Sequence, residues 1–367
     1  MTAGRPPDLT FIVAGDPAQR TGGYIYDARI AATLREQGVR VDMVGLPGRF
    51  PLPDRRAERA MEKALDSVPV GARVVIDGLA MGGLPGPVAR HSRRLEMTAI
   101  VHHPLADETG LDADTRARLR RSEARALAAT GRVIVTSAFT ARRLADFGVA
   151  AERIRIVEPG VDRPAGRDRL DGKADDGRQR LLCVATLTPR KGHLVLLQAL
   201  AAMTDRDWQC ECIGSHRRDP SHASAVLEAA AALGLSERVR FPGELDPSGV
   251  QSAYRRSDLL VVPSLYEGYG MVVSEALARG LPVICTDGGA LADTLPPGAG
   301  LRVAAGNAAA LRRGLSAWCD DPRLRDRLCR GALQASRRVR GWSDAGAEFA
   351  QALDLLPVAR ADAGSAS

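Results

Sequence analysis

Two glutamates, Glu267 and Glu275, flank a Gly-Tyr-Gly turn in SLYEGYGMVVSEALARGLPVICT. Ionised carboxylates only accept hydrogen bonds, and a pair so spaced suits the vicinal hydroxyls of a ribose or a hexose. Gly268 and Gly270 allow a close backbone approach, and the N–H groups of Tyr269, Met271 and Val272 open a helix N-terminus that attracts a phosphate or a polar sugar. In isolation, two glutamates at such a place are more often a solvated helix start. A second constellation, CVATLTPRKGHLVLLQAL, sets Lys191 at a turn between a strand and a helix. A cation there can neutralise a diphosphate and the charge that builds on a leaving nucleotide. Loop lysines are usually solvated, but Lys191 is one of only three lysines in the chain.

The first half offers looser signals. In GDPAQRTGGYIYDARI, Gly22 and Gly23 precede a helical pattern without making a GxGxxG fingerprint. TAIVHHPLADETGL ends a strand pattern on His102 and His103, with Asp107 and Glu108 close behind. A histidine in that position is most often structural, and no matching ligand pair nearby suggests a metal. The six cysteines form no CxxC pair and read as buried free thiols. No resident metal or cofactor is expected.

These residues need a framework to hold them. From residue 9 the runs LTFIVA, VRVDMVG, RVVID, TAIVH and RVIVT alternate with helical patterns such as YIYDARIAATLREQG, which closes on Gly38. Such alternation predicts βαβ units and a parallel sheet. A stretch rich in Pro, Gly and charge, from about Pro159 to Gln179, reads as a linker. RLLCVAT, WQCECIG, VRFPG, LLVVPS, PVICT and GLRVA then supply a second set of strands. A length of 367 residues with 45% hydrophobic content suits two cores. The expected fold is α/β, with Rossmann-like domains at 1–165 and 166–340 whose parallel sheets face each other across a cleft. Residues 341–357 are expected to form a helix packing back toward the first domain, and 358–367 a disordered tail. Ligands of open parallel sheets bind beyond the carboxyl ends of the strands, which places the chemistry in the cleft.

The formal charge is +7, yet nearly all the basic residues are arginine, as in proteins from GC-rich genomes, so the charge says little about partners. With 4% aromatic residues there are few platforms for stacked bases, and no nucleic acid is expected. The segment ADTRARLRRSEARAL carries Arg116, Arg118, Arg120, Arg121 and Arg125. Its thin apolar side predicts a solvated face, with at most a weak peripheral contact to acidic lipid head groups or an anionic acceptor. Apolar runs stop short of the roughly 18 residues needed to span a membrane. The start, MTAGRPPDLTFIVAG, lacks the pattern of an export leader, so a cytoplasmic protein is expected.

The segment YRRSDLLVVPSLYEGYGMVVSEALARGLPVICTDGGALADTL resembles the Glu-x7-Glu region of family 4 glycosyltransferases, which are retaining enzymes of the GT-B fold. The Lys191 segment, the Gly22–Gly23 loop, the histidines of TAIVHH, RIRIVEPGVD and VRFPGELD extend the match from Gly22 to the helix after Trp342, more tightly in the second half. The resemblance implies transfer of a hexose from a UDP- or GDP-linked sugar to a hydroxyl of an unidentified glycan, lipid or natural product. It implies that Glu267 contacts the reacting hexose, Glu275 the ribose and Lys191 the diphosphate, while Gly22 and Gly23 close over the diphosphate from the opposite domain. His102, with His103 in reserve, would shape the hexose site, and Glu244 and Leu245 would meet the base. Thr186 stands where the family commonly has an arginine, and Arg190 is the candidate to replace it. The implied catalysis uses orientation and charge stabilisation, the donor phosphate helping to deprotonate the acceptor. No Asp-x-Asp motif is read before a donor strand, so activity without divalent metal is expected. Two alternatives are a nucleotide-sugar-binding protein without turnover and a GT-B sugar-nucleotide epimerase.

Overall fold

The computed structural model describes residues 7–163 and 177–355, so most of the expected linker and the whole of 358–367 lie outside the described residues. The first six strands are β1 (Leu9–Ala14), β2 (Val41–Leu46), β3 (Arg73–Asp77), β4 (Glu96–Val101), β5 (Arg132–Val135) and β6 (Ile154–Ile156). They form a parallel sheet in the order β2-β1-β3-β4-β5-β6. A second parallel sheet has the order β12-β11-β10-β7-β8-β9. It is built from β7 (Gln179–Val184), β8 (Trp208–Ile213), β9 (Val239–Gly243), β10 (Leu259–Val262), β11 (Val283–Thr286) and β12 (Gly300–Val303). β1 and β10 are buried at every position because helices cover both faces of each sheet, which is why their sequences are continuous apolar runs. Strand order reverses beside β1 in one sheet and β7 in the other; the chain leaving β1 brings Gly22 and Gly23 to the start of helix Gly22–Glu36, and the chain leaving β7 carries Arg190 and Lys191 in the turn Pro189–Lys191.

The last helix, Trp342–Ala352, belongs to the first lobe although it follows the second in sequence. Its Ala345, Phe349 and Ala350 join Tyr26, Ile30 and Leu34 of helix Gly22–Glu36 in one apolar layer. Phe349 stacks on Phe11 of β1 with ring centroids 6.4 Å apart. Gly346 lets the two helices cross closely, since a Cβ there would lie 2.3 Å from Thr33 Cγ2. The returning chain is tied to the outgoing one where Val161 N donates to Arg340 O at 3.0 Å.

The arginine-dense segment forms helix Ala113–Ala128, capped by Asp112, with Leu119, Glu123, Ala126 and Leu127 buried and its five arginines exposed. Among the described residues no helix is long and apolar enough to cross a membrane. Cys183, Cys210, Cys212 and Cys285 are buried free thiols, whereas Cys319 and Cys329 are only half-buried. One expectation needs correcting: an Asp-x-Asp does precede a strand of the second lobe, Asp205-Arg206-Asp207 before β8. It sits at the amino end of the strand, opposite the ligand-facing edge, where Asp207 pairs with Arg178 at 2.8 Å and Asp205 with Arg206 at 2.7 Å.

Because Phe349 fills the first lobe's core from the far end of the chain, Phe349→Ala should cost about 3–5 kcal/mol. Calorimetry should show the first lobe melting earlier while the second is little changed. An unshifted first-lobe transition would contradict this packing.

Candidate active site

Glu267 is placed by a clasp of glycines. The segment after β10 runs beside the loop after β11: Glu267 N donates to Gly288 O at 3.2 Å and Ala290 N donates to Glu267 O at 2.8 Å. Gly289 has φ +67°, and a Cβ on it would lie 2.3 Å from Glu267 O, so only glycine lets the two segments lie this close. From the other side comes the turn Pro189–Lys191 after β7. Gly192, at φ +70°, follows it, and a Cβ there would lie 2.1 Å from Pro263 O. Leu265 N donates to Arg190 O at 2.7 Å, locking the turn against the Glu267 segment.

The result is a carboxylate shared between two cations. Glu267 Oε1 accepts from Lys191 Nζ at 2.5 Å and from Ser264 Oγ at 2.7 Å, and Oε2 accepts from Arg190 Nη1 at 3.1 Å. Arg190 Nη1 also donates to Tyr266 O at 2.8 Å, and its Nε lies 3.3 Å from Glu108 of the first lobe. Glu108 in turn sits 3.4 Å from His103. Glu267 is only 7% exposed, and burial would raise its carboxyl, but Lys191 and Arg190 outweigh burial and bring it from 4.5 down to about 2. Burial lowers Lys191 from its ordinary 10.5, against the pull of Glu267. Burial likewise would raise Glu108, but its bond to His103 and the charge on Arg190 hold it at about 2. Two cations and two carboxylates thus neutralise one another where the lobes meet.

His102 follows β4 on the opposite wall, with Nε2 3.1 Å from Asp27 Oδ1. The close approach expected at Gly268 is to the other lobe rather than to a ligand: a Cβ there would lie 1.9 Å from His102 O. Thr140 Oγ1 donates to Gly268 O at 3.3 Å, and Tyr266 OH donates to Asp107 Oδ2 at 3.3 Å. Gly23 lies against the His102 ring, and a Cβ on Gly22 would lie 3.8 Å from Met271 Sδ. Gly22 and Gly23, which open helix Gly22–Glu36 rather than lying in a loop, are therefore brought together with His102 and, across the lobes, with the Gly-Tyr-Gly turn.

Helix Met271–Ala278 starts after Gly270, whose φ of +91° suits glycine. The first N–H groups of a helix have no partner within it, and those of Met271 and Val272 stand in that position. The Tyr269 ring turns away, its hydroxyl 3.2 Å from Ser274 Oγ, and lines a separate hinge cavity of about 280 Å³. Glu275 accepts from Tyr254 OH at 2.8 Å rather than joining the Glu267 cluster, and burial raises its carboxyl. Thr186 is half-buried and bonded through its backbone, its O accepting from Thr188 N at 2.9 Å. Glu244 is exposed just beyond β9, with Leu245 half-buried beside Gly249. Ser264, Tyr254, Asp27 and Asp77 were not anticipated. Each is a single polar residue in a strand end, a helix or, for Ser264, the loop after β10, with no spacing in sequence that announces its partner.

A carboxyl held below its unfolded value stabilises the fold above that value and loses the contribution as pH falls. For Glu267 the contribution is complete above pH 4.5 and disappears as pH falls toward about 2. Melting temperatures across that window should fall more steeply for the native protein than for Glu267→Gln; parallel curves would contradict the ion-pair geometry.

Known proteins agree with this architecture. The profile described as "Glycosyl transferases group 1" matches residues 167–334, and "Glycosyltransferase Family 4" matches residues 46–163. A D-inositol 3-phosphate glycosyltransferase of Nocardia farcinica is 33% identical over 234 residues, covering 60% of this chain and 51% of the relative. One from Catenulispora acidiphila is 29% identical over 281 residues, covering 72% and 65%. The chain spans about half the length of the first of these relatives. Among solved structures, sucrose-phosphate synthase from Thermosynechococcus elongatus superposes with a TM-score of 0.77 at 22% identity, covering 94% of this chain and 98% of that one. HepE from Anabaena, in complex with UDP and glucose, gives 0.73 at 16% identity, covering 95% and 100%. The fold is GT-B, and with both profiles matched in order along its two lobes, the chain belongs to the family 4 glycosyltransferases.

Proposed function

We propose that the protein transfers a hexose from a nucleoside-diphosphate sugar to an acceptor hydroxyl, with retention of configuration and without a divalent metal. The observation that carries this is the Lys191–Glu267–Arg190 cluster at the carboxyl ends of β7 and β10, facing the first lobe. In the free protein the cations are occupied by Glu267 and Glu108. An arriving diphosphate offers them more negative charge than a carboxylate does, so Lys191 and Arg190 turn to its oxygens and Glu267 is released toward the hexose hydroxyls. Arg190 thereby serves where Thr186 cannot. The N–H groups of Met271 and Val272 add donors at a helix N-terminus, and Glu275 takes the ribose. As the glycosidic bond breaks, charge grows on the leaving phosphate and the fixed cations stabilise it without reorganising. No side chain need act as a covalent nucleophile; the phosphate oxygen is placed to take the acceptor's proton. The solved relative holding UDP and glucose supports a sugar donor of this class. The donor base and the acceptor are to be found by screening.

Lys191→Ala should lower kcat by about 100- to 1000-fold, the usual effect of removing one such group. The assay is nucleotide release from a panel of UDP- and GDP-hexoses with candidate acceptors. Donor binding with no acceptor-dependent release, in both the native protein and Glu267→Gln, would point to a binding protein without turnover. Because Lys191 and Arg190 supply the charge a metal would otherwise supply, EDTA should leave turnover unchanged. Loss of turnover restored by manganese would overturn that part of the proposal.

A further inference from the structure

His102 is held on three sides. Gly23 lies flush with the ring, so that a Cβ there would sit 2.9 Å from Cδ2 and 3.3 Å from Nε2. Tyr26 meets it edge-on with centroids 5.3 Å apart. Nε2 faces two carboxylates, Asp27 Oδ1 at 3.1 Å and Asp77 Oδ1 at 3.9 Å. Asp27 comes from helix Gly22–Glu36 and Asp77 ends β3, the neighbour of β4, and they are 2% and 4% exposed. Among the described residues no lysine or arginine pairs with either of them. Two buried carboxylates this close cannot both stay ionised without a counter-charge, and His102 is the group in reach. Its other nitrogen, Nδ1, makes no hydrogen bond to the described residues, and the side chain is 19% exposed.

We propose that Asp27 and Asp77 are positioning residues that keep His102 protonated on both ring nitrogens, so that its open Nδ1–H donates to an oxygen of the donor sugar. His102 is then a hydrogen-bond donor and not a base. The identity of the ligand rests on the proposed function; the protonation state does not. The electrostatics run the same way. Burial lowers His102 from 6.5, but Asp27 and Asp77 outweigh it and raise the ring. Burial and Asp27 together push Asp77 from 3.8 up to about 7. The other titratable groups here are Tyr24 and Tyr26, both pushed upward and neutral, and Glu123 of helix Ala113–Ala128, which feels Asp77. A raised histidine gives stability that is complete below pH 6.5 and is lost as pH rises through its higher folded value.

The test is an NMR pH titration of the whole protein labelled with ¹³C-histidine, the His102 signal being assigned with His102→Gln. In the native protein His102 should titrate above pH 6.5. Asp27→Asn should move its midpoint down by roughly one to three pH units. The alkaline limb of kcat/KM should move the same way, with a raised KM for the donor. Asp77→Asn gives a second variant in case the first does not fold, and the native midpoint stands without either. A native His102 midpoint at or below 6.5, or one that both substitutions leave in place, overturns the proposal. So does stoichiometric binding of zinc or manganese by the native protein, since a nitrogen of His102 and one carboxylate oxygen each of Asp27 and Asp77 lie within 4.8 Å of one another. The midpoint is read without turnover, so a failure of the proposed activity would leave its shift by Asp27→Asn intact.

Discussion

A buried carboxylate with two cations on it dictates much of the rest of this molecule. Glu267 is buried, so its charge must be met by charge, and Lys191 and Arg190 meet it from the neighbouring turn. Removing one member of such a buried cluster typically costs about 3–5 kcal/mol, because the partner is left uncompensated. The glycines around it follow from the same need. Gly192 and Gly289 let backbone segments approach within distances that any Cβ would forbid, and those approaches hold the cations and the carboxylate in register. An arrangement satisfied within itself is also poised for exchange: an anionic ligand competes for cations already assembled.

The two lobes are joined more closely than a linker alone would join them. Helix Trp342–Ala352 completes the first lobe's core, and the backbone of Gly268 rests on that of His102. Arg190 reaches across to Glu108, so electrostatic changes on one wall are felt on the other. A ligand that draws Arg190 away from Glu108 would alter a contact between lobes as well as one within a lobe.

The parallel sheets were legible because strands buried on both faces must be apolar throughout, as LTFIVA and LLVV are. The neighbourhood of Glu267 was legible because a carboxylate, special glycines and a lysine at a βα turn all fall within short segments. What could not be read depends on distance in sequence. Arg190 meeting Glu108, Tyr254 meeting Glu275, and Asp27 and Asp77 converging on His102 are products of tertiary packing. Gly268 shows a subtler limit: the sequence announces that something must come close, but not that the neighbour is another stretch of protein backbone. The Asp-x-Asp before β8 shows the converse, a motif whose ion-pair partner, Arg178, lies far away in sequence and is revealed only by the fold.

On the proposed reading, a sugar diphosphate enters the cleft by exchanging with Glu267 for the two cations. A crystal structure of the protein soaked with UDP-glucose tests it most directly. Lys191 and Arg190 should lie on the phosphate oxygens, with Glu267 turned to the hexose and Glu275 on the ribose. A bound nucleotide sugar with the Lys191–Glu267 pair still closed, or one lodged away from both glutamates, would contradict it.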